Sequence, residues 1–114
     1  MNIEEFRDYC LAKAQVTEGI PFGPNVLVLK VANKMFALAG IEPFESANLK
    51  CEPERALDLR AEYSGIIPGY HMNKTHWNTL KSNEDVPDKL FYELIDHSYD
   101  LVVQSLPKKI RETF

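Results

Sequence analysis

The stretch from Gly69 to Thr79 concentrates the residue types whose side chains could do chemistry. It holds the only tryptophan of the chain and two of its three histidines, together with a tyrosine, a lysine and asparagines. Aromatic rings stack on nucleobases, while lysine and amide side chains bond to phosphates and base edges, so this combination is typical of nucleic-acid recognition. The structural alternative is that Trp77 anchors the core, because its large apolar area favours burial. In that case Trp77 lies partly buried at the edge of a sheet.

Acidic residues are absent from three segments, numbered 19–41, 46–51 and 63–83, that together carry five lysines. All 17 acids of the chain lie outside these segments. If the segments form the strands of a sheet, the sheet side of the domain is locally positive and the helical side is negative. A positive sheet face would meet the phosphates of DNA. The predicted DNA-binding residues are Lys30, Lys34, Lys50, His71, Lys74, His76 and Lys81.

A plainer explanation of the same charge pattern stays open. Acidic residues are depleted from strands in general, and lysine is a common means of keeping exposed sheet edges from pairing. The whole chain carries 17 acids against 13 bases, which gives a net charge of −4. We therefore expect DNA binding to be weak and sensitive to salt, because so few lysines neutralise only a few phosphates.

Length and composition limit the number of domains and indicate the cellular compartment. The chain has 114 residues and is predicted to form one domain over residues 1–114, with a core that needs no metal or disulfide. Its N-terminus lacks the features of a signal peptide, and its apolar stretches fall far short of the roughly 20 residues that cross a bilayer. Cys10 and Cys51 lie outside any CxxC, which is typical of reduced thiols. We expect a cytoplasmic protein that binds no membrane.

Four residues, His71, His76, His97 and Cys51, are the candidates for a metal site or for a nucleophile and its base. No two of them have a recognised ligand spacing such as HExxH, and the sequence has neither a glycine-rich phosphate loop nor a GxSxG motif. We therefore predict no catalytic residues, no metal and no cofactor, and we expect the protein not to be an enzyme.

Capping signals and apolar spacing predict three helices. The first begins with the capping box of Asn2 and Glu5, and the second has a proline in its first turn and a glycine at its end. The third has a wide apolar stripe that should lie across the sheet. The predicted helices cover residues 3–14, residues 53–65, and about 18 residues between Pro87 and Pro107.

Five strands are predicted between these helices. The clearest is the β-branched and aliphatic run from Val26 to Val31, after which Asn33 and Lys34 form a plausible hairpin turn. The predicted strands cover residues 26–31, 35–39, 47–51, 70–72 and 76–80. The element order is then α-β-β-β-α-β-β-α. This order predicts an α+β fold, a two-layer α/β sandwich with an antiparallel sheet covered by helices on one face.

Six short motifs, which span nearly the whole chain, carry a family resemblance. They are Phe22-Gly23-Pro24, Lys34-Met35-Phe36-Ala37, Asn48-Leu49-Lys50-Cys51, Pro68-Gly69-Tyr70-His71-Met72-Asn73-Lys74, His76-Trp77-Asn78-Thr79 and Ser98-Tyr99-Asp100-Leu101-Val102. In this order they resemble the MmcQ/YjbR family. The resemblance implies a small bacterial two-layer domain, likened to frataxin-like (CyaY-like) and type III secretion-chaperone-like domains. It also implies a DNA-binding role attached to a double-wing arrangement of hairpins, without an activity or a set of functional residues.

Three hypotheses for function follow. The first is DNA binding through the sheet-side hairpins. The second is a protein-interaction module, allowed by the chaperone-like fold, that lends its sheet edge or an apolar groove to a partner strand or helix. The third is a small-molecule or catalytic site around His71, His76 and Cys51, which would have to lie within hydrogen-bond reach of one another. Both a monomer and a homodimer are compatible with the sequence.

Overall fold

Six strands and four helices form the fold in the computed structural model, which describes residues 1–70 and 72–114. The prediction for His71 lies outside the described residues. The elements in chain order are α1 (Ile3–Leu11), β1 (Val16–Gly19), β2 (Val26–Val31), β3 (Lys34–Gly40), β4 (Ser46–Lys50), α2 (Pro53–Glu62), β5 (Ile66–Pro68), β6 (Trp77–Lys81), α3 (Asp88–Gln104) and α4 (Lys108–Arg111).

The strands form one open antiparallel sheet in the order β1-β2-β3-β4-β6-β5, which confirms the α+β sandwich. Two of its features were not predicted. Strand β1 adds an edge next to β2, and strand β5 covers Ile66–Pro68, whereas the prediction placed that strand at residues 70–72. The β2–β3 turn is formed by Ala32 and Asn33, both with positive φ, so the turn precedes Lys34.

The helices pack on one face of the sheet. Helix α3 lies against β2, β3 and β4, while α1 and α2 flank it near β1 and β5. The rings of Phe6 and Phe91 meet edge to face at 6.3 Å, and Phe36 is fully buried beneath α3. The hydroxyl of Ser98 on α3 donates to the Phe36 carbonyl and accepts from the Lys50 N–H at 2.9 Å. This buried serine therefore fixes α3 against two central strands.

The helix ends differ from the prediction for local reasons. Helix α1 starts at the predicted capping box, in which the Glu5 N–H donates to Asn2 Oδ1 at 2.8 Å, but it ends at Leu11 and not at the predicted residue 14. Helix α2 ends at Glu62, and Gly65 is needed for packing, because a Cβ there would lie 2.8 Å from an Asp85 carboxylate oxygen. No helix in the described part of the chain is long and apolar enough to cross a membrane.

Candidate nucleic-acid interface

The face of the sheet opposite the helices, called the open face here, carries lysines and no carboxylate among its strand residues. Directly paired residues on antiparallel strands share a face, so the register identifies its members. Lys30 pairs with Met35, Lys50 pairs with Trp77, and Lys81 pairs with Ser46. A continuous row of paired residues crosses the middle of the open face from Val28 through Leu38, Asn48 and Thr79 to Ile67.

Two loops turn this face into a groove. Phe22, in the loop between β1 and β2, and Tyr70, in the loop between β5 and β6, keep 68% and 65% of their surfaces exposed. Both line one cavity of about 400 Å³, which we call the aromatic groove. Its other lining residues are Val26, Met35, Leu38, Ala39, Gly40, Ser46, Asn48 and Met72. The groove is therefore apolar at its floor and aromatic at its walls, and none of its described lining residues is acidic.

The β5–β6 loop is held at its base by backbone and side-chain bonds. The Gly69 N–H donates to the Trp77 carbonyl at 2.8 Å, and a Cβ at residue 69 would come within 2.7 Å of the Trp77 Cβ, so only glycine allows this close approach. The Arg60 guanidinium on α2 donates to Asn78 Oδ1 at 2.6 Å, to the Trp77 carbonyl at 3.3 Å and to the Lys74 carbonyl. These bonds hold the base of the loop that places Tyr70 beside the groove.

A short hydrogen-bond chain orients the polar part of the groove floor. The Tyr70 N–H donates to Thr79 Oγ1 at 2.9 Å, and the Thr79 hydroxyl donates to Asn48 Oδ1. Asn48 Nδ2 makes no hydrogen bond with any residue that the structure describes. Because the amide oxygen already accepts from Thr79, the orientation of the amide is fixed, and Asn48 offers the groove two N–H donors.

Three of the predicted DNA-binding residues lie on the open face, but they do not form one cluster. Lys30 and Lys50 are near the end of the sheet that carries the β2–β3 turn, and neither forms an ion pair within the described residues. Lys81 lies at the opposite end, where Glu45 and Glu84 line the same cavity of about 600 Å³. Glu18 lines a cavity of about 440 Å³ with Lys30, but its carboxylate is paired with Arg7. The positive character of the open face is thus concentrated at Lys30 and Lys50.

The other predicted residues lie off this face. Lys34 pairs with Val31, whose side chain is in the core beneath the helices, so Lys34 is exposed at the end of the sheet on the helical side. Lys74 donates to the Gly69 carbonyl at 3.3 Å and lines a separate cavity with Arg60. His76 is exposed in the same loop, and His71 lies outside the described residues.

Two residues of the small-molecule hypothesis are neighbours, because the Cys51 N–H donates to the His76 carbonyl at 2.8 Å. Their side chains differ in environment, since that of His76 is exposed. Cys51 is buried, and burial raises the pKa of its thiol to about 11, so the thiol is protonated at neutral pH. His97 accepts a hydrogen bond at Nε2 from the Glu52 N–H at 3.1 Å, which places it in the helical layer. In residues 1–70 and 72–114, no three His, Cys, Asp or Glu side chains are grouped so that they could hold a metal ion.

The positions of two aromatic residues, Trp77 and Phe22, were not fully predicted from the sequence. Trp77 is 9% exposed, as its apolar area suggested, but it lies on β6 between two other strands and not at the edge of the sheet. Phe22 was not among the predicted site residues. The available signal was an aromatic residue between Pro21 and Gly23 in a turn-rich segment, where no regular element buries a side chain.

Comparisons with known proteins identify one family. A family model described as YjbR matches residues 11–101. The chain is 34% identical over 113 residues to the uncharacterised protein YjbR of Escherichia coli K12, covering 98% of this chain and 96% of that protein. It is 39% identical over 90 residues to the uncharacterised protein YbdF of Escherichia coli O157:H7, covering 78% and 74%. The crystal structure of Deinococcus radiodurans protein DR2400, with a DUF419 domain, matches with a TM-score of 0.92 at 35% identity, covering 98% of this chain and 86% of that chain.

Proposed function

The chain belongs to the YjbR family, and we propose that it binds DNA through the open face of its sheet. The observation that supports this proposal is the charge of that face. Its strand residues include Lys30, Lys50 and Lys81 and no carboxylate, although the chain as a whole has a net charge of −4. Lysines that form no ion pair within the described residues lower the free energy of a bound phosphate backbone by releasing its counterions.

The two hairpins beside this face would act as the wings of the interface. Lys34 follows the β2–β3 turn on the helical side, and Lys74 lies in the β5–β6 loop with its ammonium on the Gly69 carbonyl, so each would reach a phosphate only at the end of the sheet that carries Lys30 and Lys50. Phosphate contacts at the wings would position the nucleic acid without reading its sequence. Because the lysines are few, the aromatic groove has to contribute to the binding free energy.

The first experiment is a titration with single-stranded and duplex DNA at two salt concentrations, followed by Trp77 fluorescence. Trp77 is the only tryptophan and the cross-strand partner of Lys50, so a ligand at Lys50 changes its emission. Replacing Lys30 and Lys50 by Gln should flatten the dependence of log K on log salt by about 0.7 per lysine on a single strand. The matched control replaces Lys89 on α3 and Lys109 on α4 by Gln, since these exposed lysines lie outside the sheet.

A flat salt response in the unmodified protein, or equal slopes in the two double variants, would contradict this mapping. An independent mobility assay guards against a ligand that binds without changing the fluorescence of Trp77. With both assays, absence of binding also argues against the proposal.

A second candidate function is binding of a protein partner, favoured by the apolar floor that Val26, Met35 and Leu38 give the groove. Methionine side chains adapt to varied apolar partners, so Met35 and Met72 suit such a role. Binding of an apolar peptide would show little dependence on salt. The same titration with an apolar peptide in place of DNA therefore separates the two functions.

A further inference from the structure

We propose that the aromatic groove receives a single unpaired nucleobase, so that the preferred ligand is single-stranded nucleic acid. This inference rests on the proposed function and adds to it the part of the ligand that is recognised.

The walls of the groove provide stacking surfaces. Phe22 and Tyr70 come from loops at the two sides of the groove, line the same cavity, and expose about two-thirds of their surfaces. An exposed aromatic side chain loses its contact with water when a base stacks on it, and such stacking tolerates any base because every base has a π-face. A cavity of about 400 Å³ lies at the lower end of the volumes of small-ligand sites, which suits one base and excludes a base pair.

The floor of the groove provides a base-edge contact. Asn48 Nδ2 has no partner within the described residues, and the bond from the Thr79 hydroxyl to Asn48 Oδ1 keeps the two amide N–H groups as donors toward the groove. Base carbonyl oxygens are acceptors that such a donor can reach only when the base is not already paired. The apolar residues around Asn48 exclude water and strengthen this bond.

The charge of the open face fits a strand that runs past the groove. Lys50 lies two residues from Asn48 on the same strand and face, a separation of about 7 Å along β4. Lys30 pairs with Met35, which also lines the groove. A base seated between Phe22 and Tyr70 would therefore have its flanking phosphates near these two lysines. The absence of carboxylates among the described lining residues removes the repulsion that a phosphate would otherwise meet.

A duplex cannot use this site in the same way. Inside a duplex the π-faces of each base are covered by neighbouring bases, so no base offers a π-face that could stack on Phe22 or Tyr70. Only the lysine contacts would remain, and these give weak binding that does not depend on the bases.

The test compares three ligands of equal length with the full chain: an oligothymidylate, its blunt duplex with oligoadenylate, and an oligomer made only of abasic deoxyribose phosphates. We expect the oligothymidylate to bind at least tenfold more tightly than the abasic oligomer at the same salt concentration. We expect the duplex to resemble the abasic oligomer.

Two variants locate the effect in the groove. Phe22→Ala should weaken oligothymidylate binding roughly 5-fold to 100-fold, the range found for loss of one stacked base, and should leave binding of the abasic oligomer unchanged. Leu57→Ala is the matched control, because Leu57 is an apolar residue with 61% of its surface exposed on α2, away from the groove. Unchanged thermal unfolding of Phe22→Ala establishes that the variant is folded, as expected for so exposed a side chain.

The outcomes separate this inference from the proposed function. If all three ligands bind equally and Phe22→Ala binds like the unmodified protein, the base-binding inference is wrong while DNA binding through the lysines stands. If no ligand binds, both are wrong. Binding of an apolar peptide that Phe22→Ala abolishes, with no DNA binding, would assign the groove to a protein partner.

Discussion

The Arg60 guanidinium on α2 donates through Nε to the buried Oδ1 of Asn78 on β6 at 2.6 Å. Asn78 is one of the few buried polar residues, and its Nδ2 donates to the Ala56 carbonyl at 3.4 Å. Arg60 also binds the carbonyls of Lys74 and Trp77, at the end of the β5–β6 loop. One side chain thus connects a helix, a strand and the loop that brings Tyr70 to the groove.

Replacing Arg60 by Met should lower the free energy of unfolding by about 1–3 kcal/mol, because Asn78 Oδ1 would stay buried without its donor. Urea denaturation followed by circular dichroism measures this change. Arg55→Met is the matched control on the same helix, since no hydrogen bond or ion pair of the Arg55 side chain is found within the described residues. Equal stabilities of the two variants would show that the Arg60 bonds contribute nothing net.

Ser98→Ala should also destabilise the fold by about 1–3 kcal/mol. The substitution leaves the Phe36 carbonyl and the Lys50 N–H without the hydroxyl that both bind, in a region from which water is excluded. Ser105→Ala is the control, because the Ser105 hydroxyl donates only to the Val102 carbonyl and the residue is exposed. A similar small loss for both serines would contradict a structural role for the Ser98 bridge.

The elements that the sequence predicted well are those whose own side chains form the core. Strand β2 was predicted with its observed limits, 26–31, because its aliphatic run is mostly buried. Strand β1 was missed because its residues, Val16–Gly19, are mostly exposed and join the sheet through backbone bonds to β2, which leave no side-chain pattern. The resemblance supplied the family, and the comparisons confirm it.

The candidate site was predicted only in part, because residue types do not reveal on which face of a sheet a residue lies. Lys30 and Lys50 lie on the open face, whereas Lys34 pairs with Val31 on the other face. The register of the β2–β3 pair is irregular between Leu29 and Lys30, which locally changes the alternation of side chains between the two faces of the sheet. No sequence pattern predicts this irregularity. Phe22 reaches the groove through the path of a loop, which depends on the whole fold.

The stability of the fold should fall at mildly acidic pH through His97. Burial, and secondarily Arg55, lowers the pKa of His97 below its ordinary 6.5, while Asp100 and Glu52 act in the opposite direction. The folded state thus favours the neutral imidazole, whose Nε2 accepts the Glu52 N–H. This contribution is fully present above pH 6.5 and is lost as the pH falls through the lowered pKa, because the unfolded chain takes up the proton first.

His97→Gln should reduce this loss, since an amide oxygen also accepts the Glu52 N–H and does not titrate. The measurement is the free energy of unfolding by urea at about pH 7.5 and at about pH 5 for both proteins. His76→Gln, at an exposed loop histidine, is the control. The same decrease in all three proteins would show that other groups cause the acid sensitivity.

Both thiols should be unreactive in the native protein. Burial raises the pKa of Cys10 to about 12 and that of Cys51 to about 11, so almost no thiolate forms near neutral pH. We expect an aromatic disulfide reagent to label neither cysteine in native buffer and both in concentrated urea, at rates set by unfolding. Prompt labelling of one cysteine in native buffer would place its sulfur at the surface.

Asn48→Asp is the sharpest single substitution for the groove, because it preserves size and the acceptor for the Thr79 hydroxyl. It replaces the N–H donors by a carboxylate in a groove whose described lining holds no acid, so a base carbonyl loses its partner and the nearby phosphates are repelled. We expect at least a tenfold loss of oligothymidylate affinity with little change in unfolding free energy. Asn2→Asp introduces the same charge at the cap of α1, where Asp serves as well as Asn, and should leave the affinity unchanged. Equal binding by the two variants would mean that no base reaches Asn48.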